Sequence, residues 1–120
     1  MFFFLFLQVH DLPFKDGEAP PAEIVKKWLT ITDECMTEPE ESRPAVAVHC
    51  VAGLGRAPVM VAIALTEYGM EPLDAVEFVR KRRPGSFNSK QISYVDTYKR
   101  RKNTFSSLKK GISKLFTKSS

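Results

Sequence analysis

A cysteine and an arginine lie six positions apart near the middle of this 120-residue chain, at Cys50 and Arg56. The apolar run Ala45–Val48 precedes them, and a segment with helical character begins at Ala57. A loop that leaves a buried strand and enters a helix points successive backbone N–H groups inward, where they can bind an anion. The positive end of the helix dipole adds to that field. The spacing therefore predicts a phosphate-binding loop with a reactive cysteine.

The residues between the cysteine and the arginine support the same interpretation. Gly53 and Gly55 accept backbone angles that other residues resist, so the loop can curve around a small tetrahedral group. The planar guanidinium of Arg56 suits two phosphate oxygens. A thiol in this positive field should have a lowered pKa, and the thiolate of Cys50 would be placed for in-line attack on phosphorus. The predicted phosphate-binding residues are Val51, Ala52, Gly53, Leu54, Gly55 and Arg56.

Plainer interpretations exist for each residue alone. Cys50 could be a buried structural thiol, since free cysteine is often found in protein cores. Arg56 could be a surface side chain at the start of a helix. Neither alternative accounts for both glycines.

The elements that must position this loop follow from hydrophobic spacing. Ala45–Val48 is short, apolar and partly β-branched, which predicts a buried central strand. One helical pattern begins at Glu23, and a second covers Pro58–Tyr68. Two further helices are predicted at about 72–83 and 89–102. The expected fold class is α/β, a central sheet with flanking helices.

Two stretches of the sequence carry a family resemblance. They are His49-Cys50-Val51-Ala52-Gly53-Leu54-Gly55-Arg56-Ala57-Pro58 and, further on, Gly85-Ser86-Phe87-Asn88-Ser89-Lys90-Gln91. The chain resembles the phosphatase of regenerating liver family, protein tyrosine phosphatase type IVA, within the cysteine-dependent and dual-specificity phosphatases. The resemblance implies a cysteine-based phosphatase fold that needs no metal or other cofactor. It also implies protein tyrosine or dual-specificity phosphatase activity through a phosphocysteine, with slow turnover.

The resemblance also implies a general acid. Members of the family carry a mobile loop of the form Trp-Pro-Phe-Asp-Asp-Gly, and this chain has Leu12-Pro13-Phe14-Lys15-Asp16-Gly17. Asp16 matches the acid by its place before Gly17. A carboxyl group on a loop framed by proline and glycine can close over a substrate and donate a proton. Asp11 is the alternative acid.

Two neighbours of the cysteine receive supporting roles from the resemblance. His49 is expected to orient the loop through hydrogen bonds to the backbone. Most relatives in the superfamily have Ser or Thr directly after the arginine, a hydroxyl that helps the phosphoenzyme break down. Ala57 cannot donate such a hydrogen bond, which implies a slow second step.

Partners and location are also expectations. The predicted substrate is a phosphoprotein, and the alternative function is a catalytically weak module that binds the CBS-domain magnesium transport mediators of the cyclin M family. The last 22 residues hold eight Lys or Arg and no acid, and the other 98 hold 10 basic and 14 acidic residues. The basic tail predicts contact with anionic membrane and no specific nucleic acid. A cytoplasmic protein, peripheral at the inner membrane surface, is expected, with the nucleus as an alternative.

The amino-acid composition limits the class of protein that this chain can be. Hydrophobic residues make up 43% and charged residues 27%, which excludes a largely disordered chain, and two cysteines are too few for a disulfide framework. We divide the chain into an atypical apolar N-terminus (1–7), a phosphatase-like domain (8–100) and a basic tail (101–120) that is disordered or an amphipathic helix. Members of the family begin with further strands before the acid loop, so we expect a fold that lacks N-terminal strands.

Overall fold

A computed structural model describes residues 8–101, and four α-helices form its framework. In chain order they are α1 (Ala22–Thr37), α2 (Arg56–Glu67), α3 (Pro72–Arg82) and α4 (Ser89–Asp96), with a short 3₁₀ turn at Glu40–Ser42. The predicted apolar N-terminus and all but the first residue of the predicted basic tail lie outside the described residues. The domain division therefore stays a prediction.

Helix α2 is the centre of the packing. Its residues Val59, Ala62 and Ile63 are fully buried, as expected for a helix that is apolar on nearly all sides. It contacts all three other helices. On α1 the buried positions recur at helical spacing, and the indole of Trp28 donates a hydrogen bond of 2.8 Å to the carbonyl of Met60. This contact fixes α1 against the start of α2, where the cysteine loop ends.

Local sequence explains where the later helices begin. Pro72 occupies the first turn of α3, where the missing N–H costs nothing. Asn88 caps α4 in a reciprocal capping box: its side chain accepts from the backbone N–H of Gln91, and the Gln91 side chain accepts from the backbone N–H of Asn88.

The predicted central sheet is wrong for the part of the chain that the structure describes. Residues 8–101 contain helices and loops but no strand, and Ala45–Val48 forms no ladder with another segment. Val46 is 40% exposed. A strand requires a neighbouring strand to satisfy its backbone N–H and C=O groups. No described segment supplies one, so an apolar, β-branched composition alone does not produce a sheet here.

The last predicted helix is shorter than expected. Helix α4 ends at Asp96, and the following residues run as an irregular segment to residue 101. There the side chain of Arg101 contacts Glu67 at 2.5 Å and Asp33 at 2.8 Å, while the hydroxyl of Tyr98 donates to Glu67 at 2.8 Å. These contacts tie the end of the domain to α1 and α2. Within residues 8–101, no helix combines the length and apolar character needed to cross a membrane.

Candidate active site

The sulfur of Cys50 lies inside a turn of backbone amides. The N–H of Gly53 points at Sγ with an N···S distance of 3.3 Å, and the N–H of Ala57 does so at 3.4 Å. Ala57 lies in the first turn of α2, so the second donor belongs to the positive end of a helix. The loop and helix predicted from the sequence therefore meet at the sulfur.

This environment changes the acidity of the thiol. Partial burial raises the pKa of Cys50, but the amides of Ala57, Gly53 and Gly55 and the charge of Arg56 together outweigh it and lower the pKa below its ordinary value. Hydrogen bonds and positive charge favour the ionised form. The geometry thus favours a thiolate, the nucleophilic form of cysteine.

The two glycines of the loop are needed for different reasons. Gly53 has a φ of +72°, in the left-handed region that residues with a Cβ rarely adopt. Gly55 has a φ of −126°, outside the left-handed region, so the prediction that both glycines adopt unusual backbone angles is wrong for this residue. A Cβ on Gly55 would lie 3.2 Å from Nε2 of Gln91 and 3.5 Å from Oδ1 of Asp16. The second glycine therefore allows a close approach between the cysteine loop and its neighbours.

The predicted arginine and general acid lie next to each other. Nε of Arg56 is 3.6 Å from Oδ1 of Asp16, an ion pair that is too long for a hydrogen bond. The Asp16 side chain is 77% exposed, which agrees with the predicted role of an acid that meets a substrate. Asp11 is also exposed, but no ion pair or hydrogen bond among residues 8–101 joins it to the cysteine loop. The geometry favours Asp16 over Asp11.

The remaining predicted site residues differ in how closely the structure joins them to the sulfur. Val51 is 94% exposed at the rim of the loop, and Ala57 is buried beneath it. His49 is exposed and donates no hydrogen bond to the loop within the described residues, so its orienting role stays a prediction. The roles of the phosphate-binding residues as a group are likewise predictions that rest on the backbone arrangement.

Several residues that support the site were not singled out from the sequence. Arg83 donates from its guanidinium to the carbonyl of Ala52 at 3.0 Å, and the N–H of Phe87 donates to the carbonyl of Leu54 at 2.7 Å. Phe87 is buried with a φ of +69°, an unusual angle for a residue with a large side chain. The segment 83–88 therefore braces the outside of the cysteine loop. Sequence spacing could not reveal this, because the two segments are about 30 positions apart.

Comparison with known proteins identifies the class. Residues 3–70 match the family model described as a polymorphic toxin system, DSP-PTPase phosphatase. The match spans more than half of the chain, and the chain belongs to the DSP-PTPase phosphatase family.

Within that class the chain is similar to type IVA protein tyrosine phosphatases, which confirms the resemblance seen in the sequence. It is 54% identical over 96 residues to type IVA A of Dictyostelium discoideum, covering 80% of this chain and 57% of that protein. It is 53% identical over 93 residues to type IVA 2 of Mus musculus, covering 78% and 54%. The chain thus spans little more than half the length of these curated relatives.

A solved structure gives the same result for the fold. The chain is similar to a protein tyrosine phosphatase from Leishmania major, with a TM-score of 0.62 and 42% sequence identity. The match covers 73% of this chain and 57% of that one. Over this shared part, the fold of the chain is therefore similar to that of the solved structure.

Proposed function

We propose that this chain hydrolyses phosphate monoesters on phosphoproteins, on tyrosine or on serine and threonine, through a phosphocysteine intermediate. The observation that carries the proposal is the position of the Cys50 sulfur, 3.3 Å and 3.4 Å from two inward-facing amide nitrogens. The same amides that favour a thiolate can bind the oxygens of a phosphoryl group. Membership in the phosphatase family supports the same activity.

The first step transfers the phosphoryl group to sulfur. The thiolate of Cys50 forms a bond to phosphorus while the bond from phosphorus to the substrate oxygen breaks. Asp16 gives its proton to that leaving oxygen. The guanidinium of Arg56 and the loop amides stabilise the charge on the three remaining oxygens. The products are the free hydroxyl of the substrate and a phosphocysteine.

The second step restores the enzyme. Water attacks phosphorus, the carboxylate of Asp16 takes a proton from that water, and the sulfur leaves as a thiolate. Inorganic phosphate is released. Ala57 has no hydroxyl to donate to the leaving sulfur, so this step should be the slow one.

The test is whether phosphatase activity requires the sulfur of Cys50. The protein should hydrolyse a phosphotyrosine peptide, and Cys50→Ser should abolish the reaction. Cys35→Ser is the matched control, since Cys35 lies on α1 and should not affect turnover. Hydrolysis that survives Cys50→Ser would contradict the proposal.

A second candidate function is binding to the CBS-domain magnesium transport mediators. Asp16 shows that a carboxylate can be accommodated 3.6 Å from Arg56, so an acidic partner side chain could approach the same loop. The exposed side chain of Val51 would offer an apolar contact at the rim. A pull-down with the CBS-pair domain should succeed with Asp16→Ala and fail once Cys50 is phosphorylated; retention by the phosphorylated protein would contradict binding at this loop.

A further inference from the structure

The first turn of α4 contacts the loop that carries Asp16. The amide Nδ2 of Asn88 donates to the carbonyl of Gly17 at 3.0 Å. The ammonium of Lys90 pairs with the carboxylate of Glu18. Nε2 of Gln91 is 3.4 Å from the carbonyl of Glu18. Three side chains in four consecutive positions therefore hold the two residues that follow Asp16.

Gln91 also contacts the cysteine loop. It is only 1% exposed, and its amide lies against Gly55, where an added Cβ would approach Nε2 to 3.2 Å. Its Oε1 accepts from the backbone N–H of Asn88 at 3.1 Å, which fixes the orientation of the amide. Because its hydrogen bonds fix its orientation, the buried Gln91 amide packs rigidly between the acid loop and the cysteine loop.

Leu12 and Phe14 pack against the hydrophobic core at the start of the acid loop, but the turn that carries Asp16 itself has few other contacts. Its internal backbone hydrogen bond runs from the N–H of Glu18 to the carbonyl of Lys15 at 3.2 Å, and Gly17 has a φ of +79°. The residues Lys15 and Asp16 are exposed. The ion pair between Asp16 and Arg56, at 3.6 Å, is long. Core packing therefore holds the start of the loop, and contacts with Asn88, Lys90 and Gln91 hold the turn at Gly17 and Glu18, directly after Asp16.

We propose that Asn88, Lys90 and Gln91 are positioning residues that hold the acid loop against the cysteine loop. We call these three residues the α4 clasp. The inference rests on the proposed function, because it assigns the clasp the task of keeping Asp16 within reach of the leaving oxygen. It predicts that opening the clasp weakens proton donation without changing the nucleophile.

Two variants open the clasp with little change elsewhere. Asn88→Ser keeps an oxygen that can cap α4 but is too short to reach Gly17. Lys90→Met removes the charge opposite Glu18 from a side chain that is 63% exposed, so the fold should not depend on it. The matched control is Glu77→Gln, which breaks the exposed ion pair between Lys81 and Glu77 on α3, 3.0 Å long and remote from both loops.

Hydrogen exchange measured by mass spectrometry on residues 13–19 is the first test. Asn88→Ser should speed exchange there roughly fivefold, the effect expected from the loss of one hydrogen bond. Glu77→Gln should not change it. The measurement needs no turnover and can be repeated with Cys50→Ser, so it is informative even if the proposed activity is absent. Unchanged exchange in both clasp variants would overturn the proposal.

Leaving-group dependence is the second test. The ratio kcat/KM reports the steps up to phosphoryl transfer, and proton donation matters most when the leaving oxygen is basic. Both clasp variants should lower kcat/KM several-fold more for a phosphotyrosine peptide than for an aryl phosphate with an acidic phenol. The alkylation rate of Cys50 should stay unchanged. An equal loss with both substrates would overturn the positioning role, whereas activity that survives Cys50→Ser would instead contradict the proposed function.

Discussion

Oδ1 of Asp16 lies 3.6 Å from Nε of Arg56, which places the proposed proton donor at the edge of the phosphate-binding loop. Two residues 40 positions apart in the sequence thus meet at the cysteine loop. An acid at this place would lie beside the phosphoryl group that the loop is proposed to bind. Because Asp16 forms an ion pair with this loop and Asp11 forms none among residues 8–101, substituting each aspartate in turn can show which of them is the general acid.

We predict that Asp16→Asn lowers kcat/KM for a phosphotyrosine peptide by about a hundredfold or more, the range typical of general acid catalysis. Asn is nearly isosteric but has no proton to give at that position. Steady-state hydrolysis across several leaving groups is the measurement. Asp11→Asn is the control and should leave the rate unchanged; a larger loss with Asp11→Asn would assign the acid role to that residue instead.

The acidity of Cys50 gives a second prediction. The loop amides and Arg56 lower the pKa of this thiol against the opposing effect of burial, so the thiolate should persist to lower pH than in an ordinary cysteine. The rate of alkylation by iodoacetamide, measured against pH in a Cys35→Ser background, should have its midpoint below that of a free thiol. Arg56→Met should raise the midpoint, because the positive charge that favours ionisation is removed.

Vanadate provides the companion measurement on the same protein. It should occupy the phosphate-binding loop and slow alkylation of Cys50. Lys81→Met is the control for Arg56→Met, since it removes an exposed cation on α3 and should leave the midpoint unchanged. A midpoint equal to that of free cysteine would contradict the thiolate assignment.

The helices and the cysteine loop could be predicted from the sequence because their signals are local. Apolar spacing defines α2 and α3 to within two residues. The spacing of Cys50 and Arg56, with two glycines between them, predicts a compact loop without reference to the surrounding fold.

Features that depend on distant segments could not be predicted in this way. Ala45–Val48 has the composition of a strand, but a strand needs a partner, and composition cannot show whether one is present. Beyond the end of α4, Arg101 pairs with carboxylates more than 30 positions away, and helical spacing gives no sign of these contacts. The contacts of Asn88 with Gly17 span 71 positions and carry no periodic signal.

The proposed slow second step predicts that adding a hydroxyl at position 57 speeds turnover. Ala57 is 6% exposed and donates its backbone N–H to Sγ of Cys50 at 3.4 Å, so a side-chain hydroxyl here would begin close to the sulfur. Ala57→Ser should raise kcat several-fold and shrink the burst of product seen in rapid mixing. Ala62→Ser, buried in the same helix away from the loop, is the control. A lower kcat for Ala57→Ser with an intact fold would contradict this role.

The pairing at the end of the domain gives a prediction about stability. Glu67 is only 1% exposed, and its carboxylate accepts from the side chain of Arg101 and from the hydroxyl of Tyr98. Removing one partner of a buried ion pair leaves an uncompensated charge, which costs about 3–5 kcal/mol when both groups are fully buried.

Arg101 is 34% exposed, so water can partly replace it, and we expect Arg101→Met to lower the free energy of unfolding by about 2 kcal/mol. Urea denaturation is the measurement. Lys81→Met, which breaks an exposed pair on α3, should cost less than about 0.5 kcal/mol. Because Gln at position 67 carries no charge, the double variant Glu67→Gln with Arg101→Met should lose less stability than the two single losses combined. Strictly additive losses would show that Glu67 and Arg101 are not energetically coupled.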